Sequence, residues 1–202
     1  MTHELDKCRW HEGQFEPDYG PAGDPSSSGD TIAKTVARWL HKYDTPLPYD
    51  ATYLGLAAGQ AYPELKIVER LGIRNTNVTL IDRRFSATSK SRFAKDYPEI
   101  KVLETGMFDL LENTQSTYFS IVTALGIEYT LEDPDVIQAL ISGLPRIMRT
   151  GGIAAIYPYT GDIDPSPIWE ANRFEPLFHY TTFNGPYSTL IYRLANNNQA
   201  ST

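Results

Sequence analysis

Tyr53-Leu54-Gly55-Leu56-Ala57-Ala58-Gly59-Gln60-Ala61 and Val78-Thr79-Leu80-Ile81-Asp82 are the two stretches that decide the fold. The first runs from apolar residues into a turn with small residues at 55, 57 and 59, which let a backbone pass close to a ligand. The second is a short apolar run ending in an acid. Between them, a helix is predicted to open near Pro63, run through Leu65, Val68 and Leu71, and stop at Gly72. Strand, glycine-rich turn, helix, strand and terminal acid together form the general arrangement for a nucleotide-bearing cofactor. Gly59 and Asp82 stand 23 residues apart, slightly long for that arrangement, and the Arg74-Asn75-Thr76-Asn77 turn accounts for the excess.

Working outward, the alternation continues. A polar helix is predicted from about Ser86 to Tyr97, a third strand over Ile100–Leu103 and a fourth over Phe119–Ala124. A helix follows from Pro134 to Met148, kinked or shortened by Pro145. Gly151-Gly152 then turns the chain into a fifth strand, Ile153–Tyr157. Two β-rich runs, Phe174–Phe183 and Ser188–Leu194, flank Asn184-Gly185-Pro186 and must pair antiparallel. Upstream, Asp30 caps a helix whose apolar stripe is Ile32, Val36, Trp39, Leu40 and Tyr43, and Pro46 and Pro48 end it. The expected fold is α/β, with seven strands in a mostly parallel sheet and an antiparallel hairpin at the C-terminal end.

Residues 1–30 read differently. Gly13, Gly20, Gly23, Gly29, Pro17, Pro21, Pro25 and the run Ser26-Ser27-Ser28 leave no apolar period. They are expected to form an arm or lid, with Trp10, Phe15 and Tyr19 as groups able to close on a ligand, ahead of one domain over 31–202.

With 25 acidic against 18 basic residues, the net charge of −7 disfavours nucleic acid as a partner. Cys8 is the only cysteine, so no internal disulfide forms. No apolar run is long enough to span a bilayer and no secretory core opens the chain, so the cytoplasm is the expected compartment. His3, His11, His41 and His179 show no metal-ligand spacing, and no metal is expected. Neither a nucleophile elbow nor a phosphate-binding loop with its lysine is present. The cluster Arg83, Arg84, Lys90, Arg92 and Lys95 reads as a solvated helix face.

In the order and spacing of these motifs the sequence resembles the class I S-adenosylmethionine-dependent methyltransferases, a Rossmann-like family, over roughly residues 31–195. The stretch 53–59 resembles that family's acidic-x-Gly-x-Gly-x-Gly loop, and Asp82 matches its ribose-binding acid. Glu104-Thr105-Gly106-Met107-Phe108-Asp109 falls where the family's third strand meets the adenine. Tyr118–Leu125 resembles the fourth strand, which ends beside the methionine moiety, and Arg146–Ile153 resembles the entry to the fifth. The resemblance implies S-adenosylmethionine as cofactor and a small-molecule acceptor. Tyr53, Gly55, Ala57, Gly59, Asp82, Arg83, Gly106, Met107, Phe108 and Thr123 would line the cofactor. Glu128 and Tyr129, after the fourth strand, would position the acceptor or take its proton.

The departures are specific. Tyr53 stands where the family has Asp or Glu, Ala57 replaces the middle glycine (a small change in bulk), Ser120 replaces a frequent Asp, and Met107 sits at the usual adenine-amine acceptor. Two alternatives therefore stay open. One is a methyltransferase-like fold kept as a binding or partner protein without catalysis. The other is an NAD(P)-dependent short-chain oxidoreductase, suggested by Gly55-x-x-x-Gly59-x-Ala61 with Ile81-Asp82-Arg83-Arg84. Its catalytic Tyr-x-x-x-Lys is matched only by Tyr62 and Lys66, inside the first crossover helix. Oligomeric state is left open.

Overall fold

The computed structural model describes residues 47–114, 118–125, 134–159, 164–181 and 188–195, together with Lys34, Ala37, Arg38 and His41. Those last four are all helical, within the span predicted to be the first helix. The apolar stripe of that helix, the arm 1–30, and Glu128 and Tyr129 lie outside the described residues.

Seven strands form one sheet: β1 (Tyr53–Leu56), β2 (Val78–Asp82), β3 (Lys101–Glu104), β4 (Phe119–Leu125), β5 (Met148–Tyr159), β6 (Phe174–Thr181) and β7 (Ser188–Leu194). Their order across the sheet is β3-β2-β1-β4-β5-β7-β6. β1 to β5 pair in parallel; β7 runs antiparallel to β5, and β6 antiparallel to β7. Five helices join them among the described residues: α1 (Tyr62–Leu71), α2 (Ala87–Asp96), α3 (Met107–Asn113), α4 (Pro134–Ile147) and α5 (Ser166–Ala171). The direction of strand order reverses between β1 and β4, so loops leaving these two strands diverge and open a crevice above their carboxyl ends.

Alternation along the strands divides the core between two faces. Leu54, Leu56, Val122 and Ala124 face one way, onto Met107 and Leu111 of α3, the Ile137, Leu140, Ile141 and Leu144 stripe of α4, and Trp169 of α5. Tyr53, Leu80 and Ile121 face the other, onto Ile67 and Val68 of α1 and Phe93 of α2. Helices on both faces are what bury a parallel sheet.

Local signals explain most boundaries. Ser86 caps α2 by accepting from the Ser89 N–H at 3.0 Å. α1 ends where the Ile73 N–H donates to the Val68 carbonyl at 3.0 Å and Gly72 takes a left-handed φ of 66°. Pro63 sits at the second position of α1, with Tyr62 the first. Three boundaries differ from the sequence reading. Pro145 lies inside α4, which continues to Ile147, because the flanking Ile141, Leu144 and Ile147 remain buried. β5 begins at Met148, and the Gly151-Gly152 turn is absorbed as a register shift between Phe119 and Ile121. α3 and α5 form in stretches read as loop; each is shorter than the two turns that periodicity needs for recognition. Pro176 sits in β6, the edge strand, where its missing N–H leaves no ladder bond unmade at the open side.

Candidate functional site

The crevice above β1 and β4 is built on the loop after β1. Ala57, Gly59 and Ala61 all have left-handed φ, at 52°, 52° and 56°. Gly59 tolerates this freely, whereas an alanine there costs on the order of 1–2 kcal/mol. Replacement of the middle glycine by Ala57 is therefore more than a change of bulk. The loop is held down by its neighbours. The Ala58 N–H donates to the Ile81 carbonyl at 2.9 Å, and the Gly59 N–H donates to Asp82 Oδ2 at 2.9 Å. Arg92 of α2 donates to the Gln60 carbonyl and lays its guanidinium 4.1 Å from the Tyr62 ring centre.

Asp82 is thus the clamp of the glycine loop as well as the acid at the end of β2. Its other oxygen, Oδ1, accepts from the Arg84 N–H at 3.0 Å. Burial raises its pKa, and the amides of Arg84, Gly59 and Arg83 work against that rise. With three amides on a carboxylate that has about four lone-pair sites, room remains for a hydroxyl donor. The loop after β3 adjoins it, since the Thr105 N–H donates to the Asp82 carbonyl at 2.9 Å. Glu104, the exposed last residue of β3, accepts from the Phe85 N–H at 3.1 Å and from Lys90 at 2.8 Å. The Lys90 hydrogen bond, then that of Phe85, lowers its pKa. Lys90, exposed as the solvated-face reading expects, also ties α2 to β3, while the half-buried Arg92 ties α2 to the glycine loop.

The other site residues divide by placement. Gly106 precedes α3, Met107 is buried at its first turn, and Phe108 is half-buried there. Arg83 is exposed beside Asp82. Tyr53 and Thr123 lie inside the core on the α1 side, sharing a 2.5 Å hydrogen bond between their hydroxyls. Burial, and after it the Glu64 charge, push the Tyr53 phenol well above its ordinary value. Gly55 is tight for an internal reason. A Cβ there would stand 3.0 Å from Glu64 Cγ and 3.0 Å from Leu80 Cδ2.

Glu64 is the residue that sequence reasoning missed. It lies in the first turn of α1, 1% exposed, and neither carboxylate oxygen has a hydrogen-bond partner among the described residues. Burial pushes its carboxyl up to about 8; its own amide N–H, short of bonding geometry, works the other way, and the Asp82 charge adds to the rise. The available signal was an acid at a helical position, two residues after Tyr62 and three before Ile67, that periodicity places toward the sheet.

Chemically, two carboxyl groups bound the glycine loop, Asp82 beside it and Glu64 buried behind it. The Gly59 N–H is already spent on Asp82. This donor set suits a ligand with hydroxyl donors and a cationic group, as S-adenosylmethionine has, and is poorly matched to a pyrophosphate. Among the described residues no three His, Cys, Asp or Glu side chains group as metal ligands. No helix of the described residues is long and apolar enough to cross a membrane.

No family model and no curated protein matches the sequence. Solved structures do match the fold. A Haemophilus influenzae protein described as a methylase superposes with a TM-score of 0.61 at 18% identity, over 84% of this chain and 99% of its own. The Burkholderia thailandensis 1,6-didemethyltoxoflavin-N1-methyltransferase, holding its namesake compound and S-adenosylhomocysteine, gives 0.56 at 14% identity, over 88% and 93%. The geranyl diphosphate C-methyltransferase of Streptomyces coelicolor, with Mg2+, geranyl diphosphate and S-adenosyl-L-homocysteine, gives 0.58 at 11%, over 88% and 85%. At identities this low the likeness is one of architecture: the chain has the Rossmann-like fold of these methyltransferases, from β1 to the antiparallel hairpin.

Proposed function

We propose that this chain is an S-adenosylmethionine-dependent methyltransferase acting on a small-molecule acceptor. The observation that carries the reading is the clamp between the Gly59 N–H and Asp82 at the strand-order reversal. It fixes a glycine loop and an acid around the place where a nucleoside binds in such sheets. The shared fold supports it, as do bound S-adenosylhomocysteine in two of the matched structures and small-molecule substrates in their crystals.

When bound, the cofactor supplies a methyl group already activated by its sulfonium. The chain's own work is then alignment and exclusion of water. Asp82 would accept from the ribose hydroxyls through its free lone pairs. Gly106, Met107 and Phe108 would flank the adenine, with Arg83 stacking on it. Gly55, Ala57 and Gly59 bring backbone to the methionine portion, and Tyr53 and Thr123 support the loop from inside the core. Glu128 and Tyr129 would position the acceptor or take its proton, and the arm 1–30 would close over the ligand.

Titration calorimetry with S-adenosylhomocysteine tests the reading. Binding in the micromolar range is expected, and Asp82→Ala should weaken it by about 1–3 kcal/mol by leaving hydroxyl donors unpaired. No heat at millimolar ligand, with the protein shown folded, overturns it. A second reading, a binding protein without catalysis, is favoured by one observation: Tyr53, where the family has its acid, opens β1 with its hydroxyl engaged by Thr123. That reading predicts an inert wild type that gains cofactor affinity on Tyr53→Glu. The oxidoreductase alternative loses support, because β7 enters antiparallel between β5 and β6 and the Gly59 N–H, which a pyrophosphate would need, is taken by Asp82.

A further inference from the structure

We propose that Glu64 supplies the negative charge that Tyr53, at the start of β1, cannot, its carboxylate recognising the cationic amino group of the ligand's methionine portion. This rests on the methyltransferase reading. The charge normally set on the strand would here be set on the helix that packs over it.

The geometry is specific. Glu64 Cγ occupies the space a Cβ on Gly55 would need, so the side chain lies against the first glycine of the loop. Gly55 pairs with Thr123 in the β1–β4 register, and Thr123 in turn holds the Tyr53 hydroxyl. Glu64 is therefore packed beneath the point where the two diverging loops separate. Both its oxygens are buried and unpartnered among the described residues.

A buried carboxyl left without partners is a standing cost unless a ligand completes it. The charged and titratable groups that act on it are Tyr53 from β1 and Asp82 from β2, both acids. Arg92 of α2 donates to the Gln60 carbonyl and lies over the Tyr62 ring, while its Nε is buried without a partner. Among the described residues such a cluster lacks a cation, and an ammonium group entering above Gly55 would provide one. Glu64, holding its proton up to about pH 8 in the free protein, would release it as the ammonium binds.

The experiment is titration calorimetry of the full chain in two buffers of different ionisation enthalpy. The probes are S-adenosylhomocysteine and 5′-methylthioadenosine, which lacks the amino-acid portion. At pH 7, S-adenosylhomocysteine should release close to one proton from wild type, and methylthioadenosine none. Between pH 6 and 8 the affinity of wild type for S-adenosylhomocysteine should tighten roughly fifty-fold. Glu64→Gln should abolish both the release and the pH dependence and weaken binding at pH 8 by roughly 10- to 100-fold.

If wild type binds S-adenosylhomocysteine with no proton exchange and a flat pH profile, the inference is overturned and the methyltransferase reading stands. Equal proton release by methylthioadenosine also overturns it, since the amine would not be what Glu64 meets. Should Glu64→Gln not fold, the wild-type profile decides alone. No binding of either probe removes the methyltransferase reading and this inference with it.

Discussion

On one face of the sheet α3, α4 and α5 cover Leu54, Leu56, Val122 and Ala124 with side chains that are almost wholly apolar. The one orphaned buried side-chain atom described there is the Trp169 indole N–H. On the other face α1 and α2 cover Tyr53, Leu80 and Ile121, and among the apolar groups stand a phenol, a threonine hydroxyl and an unpartnered carboxyl. The difference lies in what is buried, and it coincides with the side from which the glycine loop is clamped. Packing on the α4 side stabilises the fold; packing on the α1 side includes groups that oppose it, concentrated around the crevice.

The largest effect separating the faces should come from Trp169→Ala. Trp169 is fully buried, stacked on Tyr192 at 4.3 Å between ring centres and edge-on to Phe174 at 4.8 Å. Its loss should cost about 3–5 kcal/mol in denaturant unfolding, with ligand affinity unchanged wherever the variant remains folded. A large affinity change in the folded variant would blur the division between the faces.

Glu64→Gln should move stability the other way. The folded carboxyl keeps its proton up to about pH 8, while an unfolded one gives it up near 4.5. Wild-type stability from this group is complete below pH 4.5. It falls by about 1.4 kcal/mol per pH unit above that, and levels off above pH 8. The glutamine variant has no such slope. It should match wild type near pH 4 and exceed it by about 3 kcal/mol at pH 7. Parallel stability curves for the two proteins from pH 4 to 8 would show that Glu64 is not a strained group.

The apolar face was the more legible of the two in sequence. The stripe of α4 repeats at helical spacing, and the strand runs are continuous, so their burial follows from pattern alone. The crevice was legible in outline, because the Gly59 and Asp82 spacing carried it and the two are hydrogen-bonded. Its second carboxyl was not. Glu64 reads first as an ordinary helix-start carboxylate, which the macrodipole favours on any surface, and its spacing to the buried Ile67 and Val68 was the weaker signal that it lies inside. Arg92 differs in the opposite sense. Its charge suggested solvent, and Lys90 beside it is exposed, but Arg92 is half-buried and reaches the Gln60 carbonyl from a distant part of the chain. Charge on a helix says little about which way it faces until the neighbours are known.

The smallest effect, and the sharpest for the loop itself, concerns Ala57. Its φ of 52° lies in the left-handed region, where the Cβ crowds the following carbonyl by on the order of 1–2 kcal/mol. Ala57→Gly removes that crowding but gives the unfolded chain more freedom, which costs roughly 0.5–1 kcal/mol. The balance is a net gain of about 0.5–1 kcal/mol. Ala58→Gly, one residue on, is the control. Ala58 is not among the left-handed residues and is buried at 6% exposure, so glycine there removes a packed methyl with no strain to relieve. It should destabilise by about 1 kcal/mol or more. Opposite signs at adjacent positions, read in the same denaturant titration, place the strain at Ala57. A loss at both would mean that the loop relaxes around Ala57.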